Sequence, residues 1–445
     1  MTSRKRRKIT RRAETSRHFL LSQTDSRKVD EAPELDVERV RRALAADFPD
    51  LPAGSDFQQA ALAQIGGERP FCALLLRPDD PPETWLQAPG TEVLVQVAAS
   101  LDELCRGGEG LWGIAESGML AGLWPSWSGI QGLEAAHRLQ EQVRRRTGRT
   151  VTIGVAAHPT LDYPPEKALE NARKAAEHAA FFGANSRVVF DAVSLNISGD
   201  KHYERGAIQE AICEYQQALR LDPQNGNLFN SLGVCHGVRG DQEGALEAFG
   251  RALALDAEDY MATYNTGLIY GLQGRREAAL EHFLKAGALH GDVFEILFQT
   301  GKLQLEMGDV PAARTLLERA ARLRPRFGHA QRLLGDCYAQ LELPEKAIGA
   351  YRKAIKANPG DSLALSALGG LFDEKGENPE IAMVFCQESV RLAPDNPLLR
   401  QRLGRLYLKR NRLEEALREF EHAGRLGRDS TADIRSVRER MADRN

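Results

Sequence analysis

The sequence predicts an α/β domain followed by an all-α solenoid of helical hairpins. Three observations lead to this fold class. The chain has 445 residues, which is too long for one ordinary hydrophobic core. Its second half repeats with a period of about 34 residues. Residues 67–192 instead alternate short apolar runs, typical of strands, with segments of helical periodicity.

Composition narrows the class of protein and its partners. The chain is 42% hydrophobic and 27% charged with a net charge of -3, so nucleic-acid binding by the whole chain is not expected. No apolar run approaches the ~20 residues that span a bilayer, and no signal-peptide core follows the basic start. We therefore expect no membrane span and a cytoplasmic protein. The six cysteines are scattered without metal-ligand spacing, which predicts reduced thiols, no metal site and no cofactor.

Two segments precede the α/β domain. Residues 1–34 begin with MTSRKRRKITRR, which has seven basic and no acidic residues, and we interpret them as a solvated, disordered tail. The alternative is an arm that binds phosphate, membrane surface or nucleic acid. The pattern in residues 35–66 predicts an amphipathic lead-in helix. Its apolar stripe consists of Leu35, Val37, Val40, Leu44 and Phe48.

Strands and helices alternate through residues 67–192. In chain order they are a strand at 71–77, a helix at 90–106, two strands within 110–125, a helix at 130–146, a strand at 150–156, a helix at 165–182 and a strand at 186–191. This order is a split-βαβ, ferredoxin-like plan with an added helix and strand. Right-handed crossovers predict that the helices lie on one face of the sheet.

Three segments of this domain carry a family pattern. They are the helix with Gly90, Leu94, Ala98 and Leu101, the strand TVTIGVA at 150–156, and ARKAAEHAAFFGAN at 172–185. Their order and spacing resemble the GGDEF, or diguanylate cyclase, domain of the nucleotidyl-cyclase fold. The resemblance covers about residues 68–192. It implies a reaction that depends on Mg²⁺ held by carboxylates.

Charged residues that this reaction needs are missing here. The family's signature loop falls on residues 115–119. There the acidic pair is replaced by Ser117 and Gly118, or by Gly118 and Met119 in a second register. Arg77 stands where the resemblance implies a metal-binding Asp. The base-reading Asp and the phosphate-binding Lys and Arg are replaced by Thr91, Ala180 and Ala184. We therefore expect a degenerate domain that is not an enzyme.

One nucleotide-binding feature of the family is half retained. The product-binding R-x-x-D motif aligns with Arg106 and Glu109, and arginine pairs well with phosphate. The resemblance therefore leaves open a cyclic di-GMP site at these two residues. The alternative is that Arg106 only ends a helix, where its charge meets the helix dipole favourably.

Seven segments of the second half align on small residues. Alanines recur at a constant spacing, which is one residue longer only in the sixth unit: Ala211, Ala245, Ala279, Ala313, Ala347, Ala382 and Ala416. A glycine lies twelve residues before each of them, or thirteen in the sixth unit: Gly199, Gly233, Gly267, Gly301, Gly335, Gly369 and Gly404. Small residues at both positions let two helices approach closely. Each unit is therefore a hairpin that needs neighbours to bury its apolar face.

Period and pattern resemble the tetratricopeptide repeat family over residues 193–428, with residues 429–445 as a capping helix and C-terminus. The resemblance implies a right-handed superhelix whose first helices line a concave groove. Its groove positions are Asn230, Tyr264, Asn265, Phe298, Lys302, Arg332, Gln401 and Arg405. Such a mixed surface suits an extended peptide or a partner helix. We expect a non-catalytic scaffold that binds a protein partner in this groove, with the degenerate domain as a structural or regulatory module. The alternative is a cyclic-dinucleotide or nucleotide sensor that signals through the repeats.

Overall fold

The computed structural model describes residues 35–66, 69–86, 90–107, 109–376 and 378–442. The basic tail predicted at residues 1–34 lies outside these described residues. The chain divides into two compact units, Met1–Ala257 and Glu258–Asn445. Unit 1 holds a sheet domain and two helical hairpins, and unit 2 holds the later hairpins and a final helix.

Among the described residues, two helices precede the sheet. α1 spans Val37–Leu44 and α2 spans Gly54–Ile65. The amphipathic helix predicted in this segment corresponds to α1, and two prolines separate it from α2, since the residue before a proline is disfavoured in the α conformation. The apolar stripe is present all the same, since Val40 and Leu44 are fully buried.

The sheet has five strands in the order β2-β3-β1-β4-β5. Their bounds are β1 Phe71–Pro78, β2 Leu111–Ile114, β3 Leu120–Pro125, β4 Val151–His158 and β5 Arg187–Val189. β1 pairs antiparallel with β3 and β4, and Phe71 lies opposite Pro125 on one side and His158 on the other. β2 pairs antiparallel with β3, whereas β5 pairs parallel with β4. All five predicted strands are present, although β5 is shorter than predicted.

Three longer helices belong to the sheet domain. They are α3 Gly90–Gly107, α4 Gly129–Thr147 and α5 Ala168–Ala180. Short 3-10 turns lie at Pro82–Leu86 and Pro165–Lys167, and the second of these occupies the start of the helix predicted from residue 165.

Helices cover both faces of the sheet. α3 and α4 pack on the face that carries Leu74 and Leu76, while α2 and α5 pack on the face that carries Ala73 and Leu75. The expectation that the helices share one face is therefore wrong for α5. β1 is a nearly continuous run of apolar residues, and successive side chains of a strand lie on opposite faces of the sheet. Both faces must therefore be covered.

Two helical hairpins complete unit 1. The first consists of α6 Ala192–Glu204 and α7 Ile208–Leu221, and the second of α8 Gly226–Val238 and α9 Gln242–Leu255. The hydrophobic core on the α5 face of the sheet continues into both hairpins through Leu195, Tyr215 and Leu228. The sheet domain and the first repeats therefore share one core.

Ion pairs add to this junction. Lys174 Nζ lies 2.7 Å from a carboxylate oxygen of Glu214, and Lys201 Nζ lies 2.6 Å from one of Glu177. Lys174 and Glu177 belong to α5, whereas Lys201 and Glu214 belong to the first hairpin. Paired charges thus join α5 to α6 and α7.

Unit 2 continues the hairpin pattern. Its helices are α10 Tyr260–Leu272, α11 Arg276–Leu289, α12 Phe294–Glu306, α13 Val310–Leu323, α14 Gly328–Gln340, α15 Pro344–Ala357, α16 Ser362–Glu374, α17 Pro379–Leu392, α18 Pro397–Lys409, α19 Leu413–Arg425 and α20 Thr431–Ala442. α10 to α19 pair as five hairpins. α20 covers the last of them with Val437, which is fully buried beside Phe420 and Ala416. Within the described ranges, no helix is both long and apolar enough to cross a bilayer.

Candidate functional site

A glycine of the first helix holds each hairpin together against a side chain of the second. A Cβ atom added at Gly233 would lie 2.5 Å from the ring of Phe249, and one at Gly335 would lie 2.6 Å from the ring of Tyr351. Side-chain carbons do not tolerate such distances, so only glycine permits this approach. The same contact recurs between Gly199 and Tyr215, Gly267 and Phe283, Gly301 and Leu317, Gly369 and Cys386, and Gly404 and Phe420.

Close packing decides which first-helix residues remain available to a partner. Tyr264 is fully buried, and its ring centroid lies 5.4 Å from that of Phe283. Burial raises the pKa of Tyr264, and its hydroxyl is hydrogen-bonded to Gln299. Asn265 is also fully buried, and in unit 1 Asn230 is 1% exposed. These three predicted groove residues pack between helices and present no surface to a partner in this structure.

Phe298 lies in an aromatic cluster at the start of two first helices. Its ring meets Phe327 edge-on at 5.3 Å and His329 at 5.2 Å between centroids. Phe298 is buried, whereas His329 is half-buried. Burial lowers the pKa of His329, and the charges of Arg332 and Lys302 lower it further. His329 is therefore neutral near pH 7 and offers a ring beside two cations.

Arg332 is held by two carboxylates. Its Nη1 lies 3.2 Å from Asp336 and its Nε lies 3.5 Å from Asp361. The hydroxyl of Tyr351 donates a 2.7 Å hydrogen bond to Asp336. Burial raises the pKa of Asp336, and this effect outweighs the hydrogen bond and the nearby arginine charges. Arg332 is thus a positioned and largely paired cation.

Two further cations of the first helices are held loosely. Lys302 Nζ lies 3.8 Å from Glu306, and its side chain is 39% exposed. Arg402 is exposed, its Nη1 lies 3.5 Å from Ser366 Oγ, and its charge also acts on the Asp336 carboxylate. Sequence reasoning did not select Arg402, although it occupies the same repeat position as Asn265. The repeat period identifies the position of Arg402 as a groove position, but it does not show that the side chain is exposed.

The last hairpin meets α20. Gln401 is buried and donates a 2.7 Å hydrogen bond to Asp433 of α20. Arg405 Nε lies 3.5 Å from the same carboxylate, and the Arg405 side chain is 62% exposed. α20 therefore engages Gln401 in a hydrogen bond and leaves most of the Arg405 side chain exposed. We call Lys302, His329, Arg332, Arg402 and Arg405 the first-helix surface of unit 2.

In the sheet domain, the turn between β2 and β3 is covered by the lead-in segment. The amide of Leu35 donates a 3.1 Å hydrogen bond to the carbonyl of Ser117. Gly118 has a φ of +72°, and a Cβ atom there would collide with the backbone of Leu35. Among residues 115–119, Glu116 is the exposed one. In the part of the chain that the structure describes, no group of three or more His, Cys, Asp or Glu side chains is placed to hold a metal ion.

Arg106 and Glu109 lie at the end of α3. Arg106 Nη2 lies 2.7 Å from Asp102, one turn earlier, and the Arg106 side chain is 79% exposed. Glu109 is exposed and has a φ of +56°. The geometry is that of an ion pair at a helix end, where a cation meets the helix dipole favourably. No contact of these residues favours a nucleotide site over this pair.

The sequence comparison identifies the repeats. Models of the tetratricopeptide repeat match residues 199–237, 232–290, 298–362 and 375–441. The chain carries a tetratricopeptide repeat array. This confirms the repeats predicted from the alanine and glycine spacing. Among curated proteins, none matches the chain with significant similarity.

Solved structures that are similar to part of this chain include the following three. YrrB, described as a TPR protein with an unusual peptide-binding site, is 20% identical over 42% of this chain and 95% of its own, with a TM-score of 0.38. Pseudomonas aeruginosa pilF is 20% identical over 46% of this chain and 93% of its own, with a TM-score of 0.43. MamA is 25% identical over 36% of this chain and 94% of its own, with a TM-score of 0.34.

Proposed function

We propose that this protein is a non-catalytic interaction scaffold that binds an acidic, extended segment of a partner protein on the first-helix surface of unit 2. One observation carries the proposal: on the first helices, Arg402 and Arg405 are exposed and Lys302 is partly exposed, and the polar contacts of all three are long. An extended peptide uses such a helical surface through alternate side chains, and carboxylates would pair with these cations.

The energetics set the kind of segment that fits. An exposed ion pair contributes only about 0–1 kcal/mol, so three pairs alone give weak binding. The half-buried ring of His329 adjoins the cations and offers an apolar contact of larger value. A segment with several carboxylates and one large apolar residue therefore fits best, with affinity in the micromolar range or weaker.

A peptide selection tests this proposal. The full chain is used to select from a random 12-residue display library, and the enriched peptides are measured by isothermal titration calorimetry. We expect sequences rich in Asp and Glu. We expect Arg402→Glu to weaken binding at least tenfold, because it replaces an attraction by a repulsion at an exposed site.

The matched control is Arg418→Glu, an exposed charge reversal on α19, the second helix of the last hairpin. It should leave the affinity unchanged. Enrichment of no acidic peptide, or equal binding by the Arg402→Glu variant and the parent, contradicts the proposal.

For the sheet domain, we propose a degenerate relative of the GGDEF domain that supports the first repeat and performs no chemistry. The strand order, with β1 between β3 and β4, supports the relationship, as do the segments that resemble the family. The absence of the acidic pair at Ser117 and Gly118 supports the loss of catalysis. Incubation with GTP and Mg²⁺ should yield no cyclic dinucleotide by chromatography. Product formation that Glu116→Gln abolishes would contradict this part of the proposal.

A further inference from the structure

The second helices of unit 2 carry a ladder of cations that the proposed partner surface does not use. Lys285, Arg319 and Lys353 lie at the same repeat position on α11, α13 and α15, each one repeat after the last. Arg322 and Lys356 lie one helical turn further along α13 and α15, and they too are one repeat apart. Side chains three residues apart share one face of a helix, so the two rows are adjacent. With Arg326, which follows α13, these residues form what we call the cationic stripe.

The charge of the surrounding segment is far from that of the whole chain. From Arg314 to Lys356 the sequence has ten Lys and Arg residues and four Asp and Glu residues. The whole chain has a net charge of -3. The net charge of the whole chain therefore hides a strongly basic region in two consecutive hairpins.

Local acids do not neutralise the stripe. Arg319 Nη2 contacts Asp292 at 2.8 Å, which pairs one of the six cations. Glu318 lies one turn before Arg322 on α13, but it accepts a hydrogen bond from the Tyr338 hydroxyl at 2.9 Å and lies 3.7 Å from Arg314. In the described part of the chain, the five other members have neither an ion pair nor a hydrogen bond to their side chains, and all five are exposed: Lys285, Arg322, Arg326, Lys353 and Lys356.

Helix dipoles account for only part of this pattern. Arg322 and Lys356 lie in the last turns of α13 and α15, where a cation is favourable. Lys285 and Lys353 lie earlier in their helices, and Arg326 lies beyond the end of α13. A structural role at helix ends therefore leaves at least half of the stripe unexplained.

We propose that the cationic stripe binds the phosphate backbone of double-stranded nucleic acid. A flexible acidic peptide would make only screened surface pairs here, each of small value. A duplex has a dense line of phosphates and releases condensed counterions when cations approach it, which favours this ligand. The aromatic residues nearby, Phe327 and Tyr338, are partly buried and already in contact with other side chains, so base stacking of a single strand is not supported.

Fluorescence anisotropy with a labelled 24-base-pair DNA duplex tests the proposal. Because the basic N-terminal arm is a competing site, every protein is the full chain with five arm cations replaced by glutamine: Arg4, Lys5, Arg6, Arg7 and Lys8. In this background the stripe variant changes four exposed cations to glutamine: Arg322, Arg326, Lys353 and Lys356. The matched control changes four exposed arginines of the last hairpin and α20 to glutamine: Arg418, Arg425, Arg435 and Arg440.

We expect the parent to bind the duplex with an affinity that falls steeply with salt. A logarithmic slope of about -4 corresponds to four or five phosphate contacts. The stripe variant should lose at least tenfold in affinity at 100 mM NaCl and most of the slope, whereas the control should keep both. Circular dichroism at 222 nm should be the same for all three proteins, because the four side chains that distinguish each variant from the parent are exposed.

Three results would overturn the proposal. The first is failure of the parent to bind the duplex even at 25 mM NaCl. The second is a control that loses as much affinity as the stripe variant, which would indicate general electrostatic attraction. The third is a stripe that does not bind the duplex but binds a 16-residue glutamate-rich peptide, or vesicles made of four parts phosphatidylcholine to one part phosphatidylserine.

Discussion

The contact between Gly233 and Phe249 offers a direct test of how the hairpins are held together. Phe249 is fully buried, and three atoms of its ring lie 2.5–3.0 Å from the place of a Cβ atom on Gly233. Truncation by Phe249→Ala removes a buried ring and leaves a cavity, which costs about 3–5 kcal/mol. Gly233→Ala instead overpacks the contact and costs about 1–3 kcal/mol.

The two substitutions should not be additive. In the Phe249→Ala background the ring is gone, so the new methyl group of Gly233→Ala enters the vacated space. We expect its cost to vanish there, which gives a coupling energy of at least about 1 kcal/mol between the two positions. If the two positions contributed independently to stability, the coupling energy would be zero.

Native-state hydrogen exchange of the full chain measures these changes locally. Backbone amides of α8 and α9 report the opening of the second hairpin, which avoids assuming that the whole chain unfolds in one step. A loss of about 3 kcal/mol should speed their exchange by roughly a hundredfold. Unchanged exchange in Phe249→Ala, or the same cost of Gly233→Ala with and without the ring, would refute the reasoning.

Three further outcomes follow from the structure of unit 1. Iodoacetamide at pH 8 should label Cys213 alone in the native chain, because Cys213 is exposed and the other five thiols are buried. Intact-mass spectrometry should show one addition, and more than one would contradict this prediction. Glu214→Leu should cost roughly 1–3 kcal/mol, because the Lys174 side chain is 4% exposed and loses its 2.7 Å partner while it keeps Glu170 at 3.4 Å; adding Lys174→Met should restore most of the melting temperature. Burial alone would raise the pKa of Asp191, but the hydrogen bond with His178 and the charge of His178 lower it, so the pKa lies below its ordinary value. Its stabilising contribution is therefore present above about pH 4 and lost as the pH falls further, so the Asp191→Asn variant should lose less melting temperature than the parent between pH 6 and pH 3.

The repeats were predictable because small residues decide their packing. Glycine and alanine recur at fixed positions, and each glycine lies against the second helix of its own hairpin. That contact is local in sequence, so the period alone defines it. The lead-in was harder, since its apolar stripe runs on to Phe48, just before the prolines that separate α1 from α2, whereas α1 already ends at Leu44. The apolar stripe can be predicted from the spacing of apolar residues, whereas the break between α1 and α2 depends on the backbone conformation around the prolines.

The candidate surface was less predictable than the fold. Repeat position indicates which way a side chain points, but its exposure depends on the neighbouring first helix. Tyr264 and Arg402 both lie at groove positions, yet Tyr264 is covered by Phe283 and Gln299 while Arg402 is exposed beside Ser366. The cationic stripe was missed for a different reason. A net charge summed over a chain carries no information about how the charges are distributed along it.

The sheet domain also explains how the first repeat can lie directly after a β-strand. α5 has Ala172, Ala176 and Ala179, and their spacing repeats that of Ala211, Tyr215 and Ala218 in α7. The three alanines are buried, and a Cβ atom on Gly154 of β4 would collide with the backbone of Ala172 and Ala176. Gly154 thus does for α5 what a first-helix glycine does for the second helix of a hairpin. α5 packs against α6 as a preceding second helix would, so it supplies half of a repeat. A repeat array needs its first hairpin covered, and a strand-backed helix meets that need without a further hairpin.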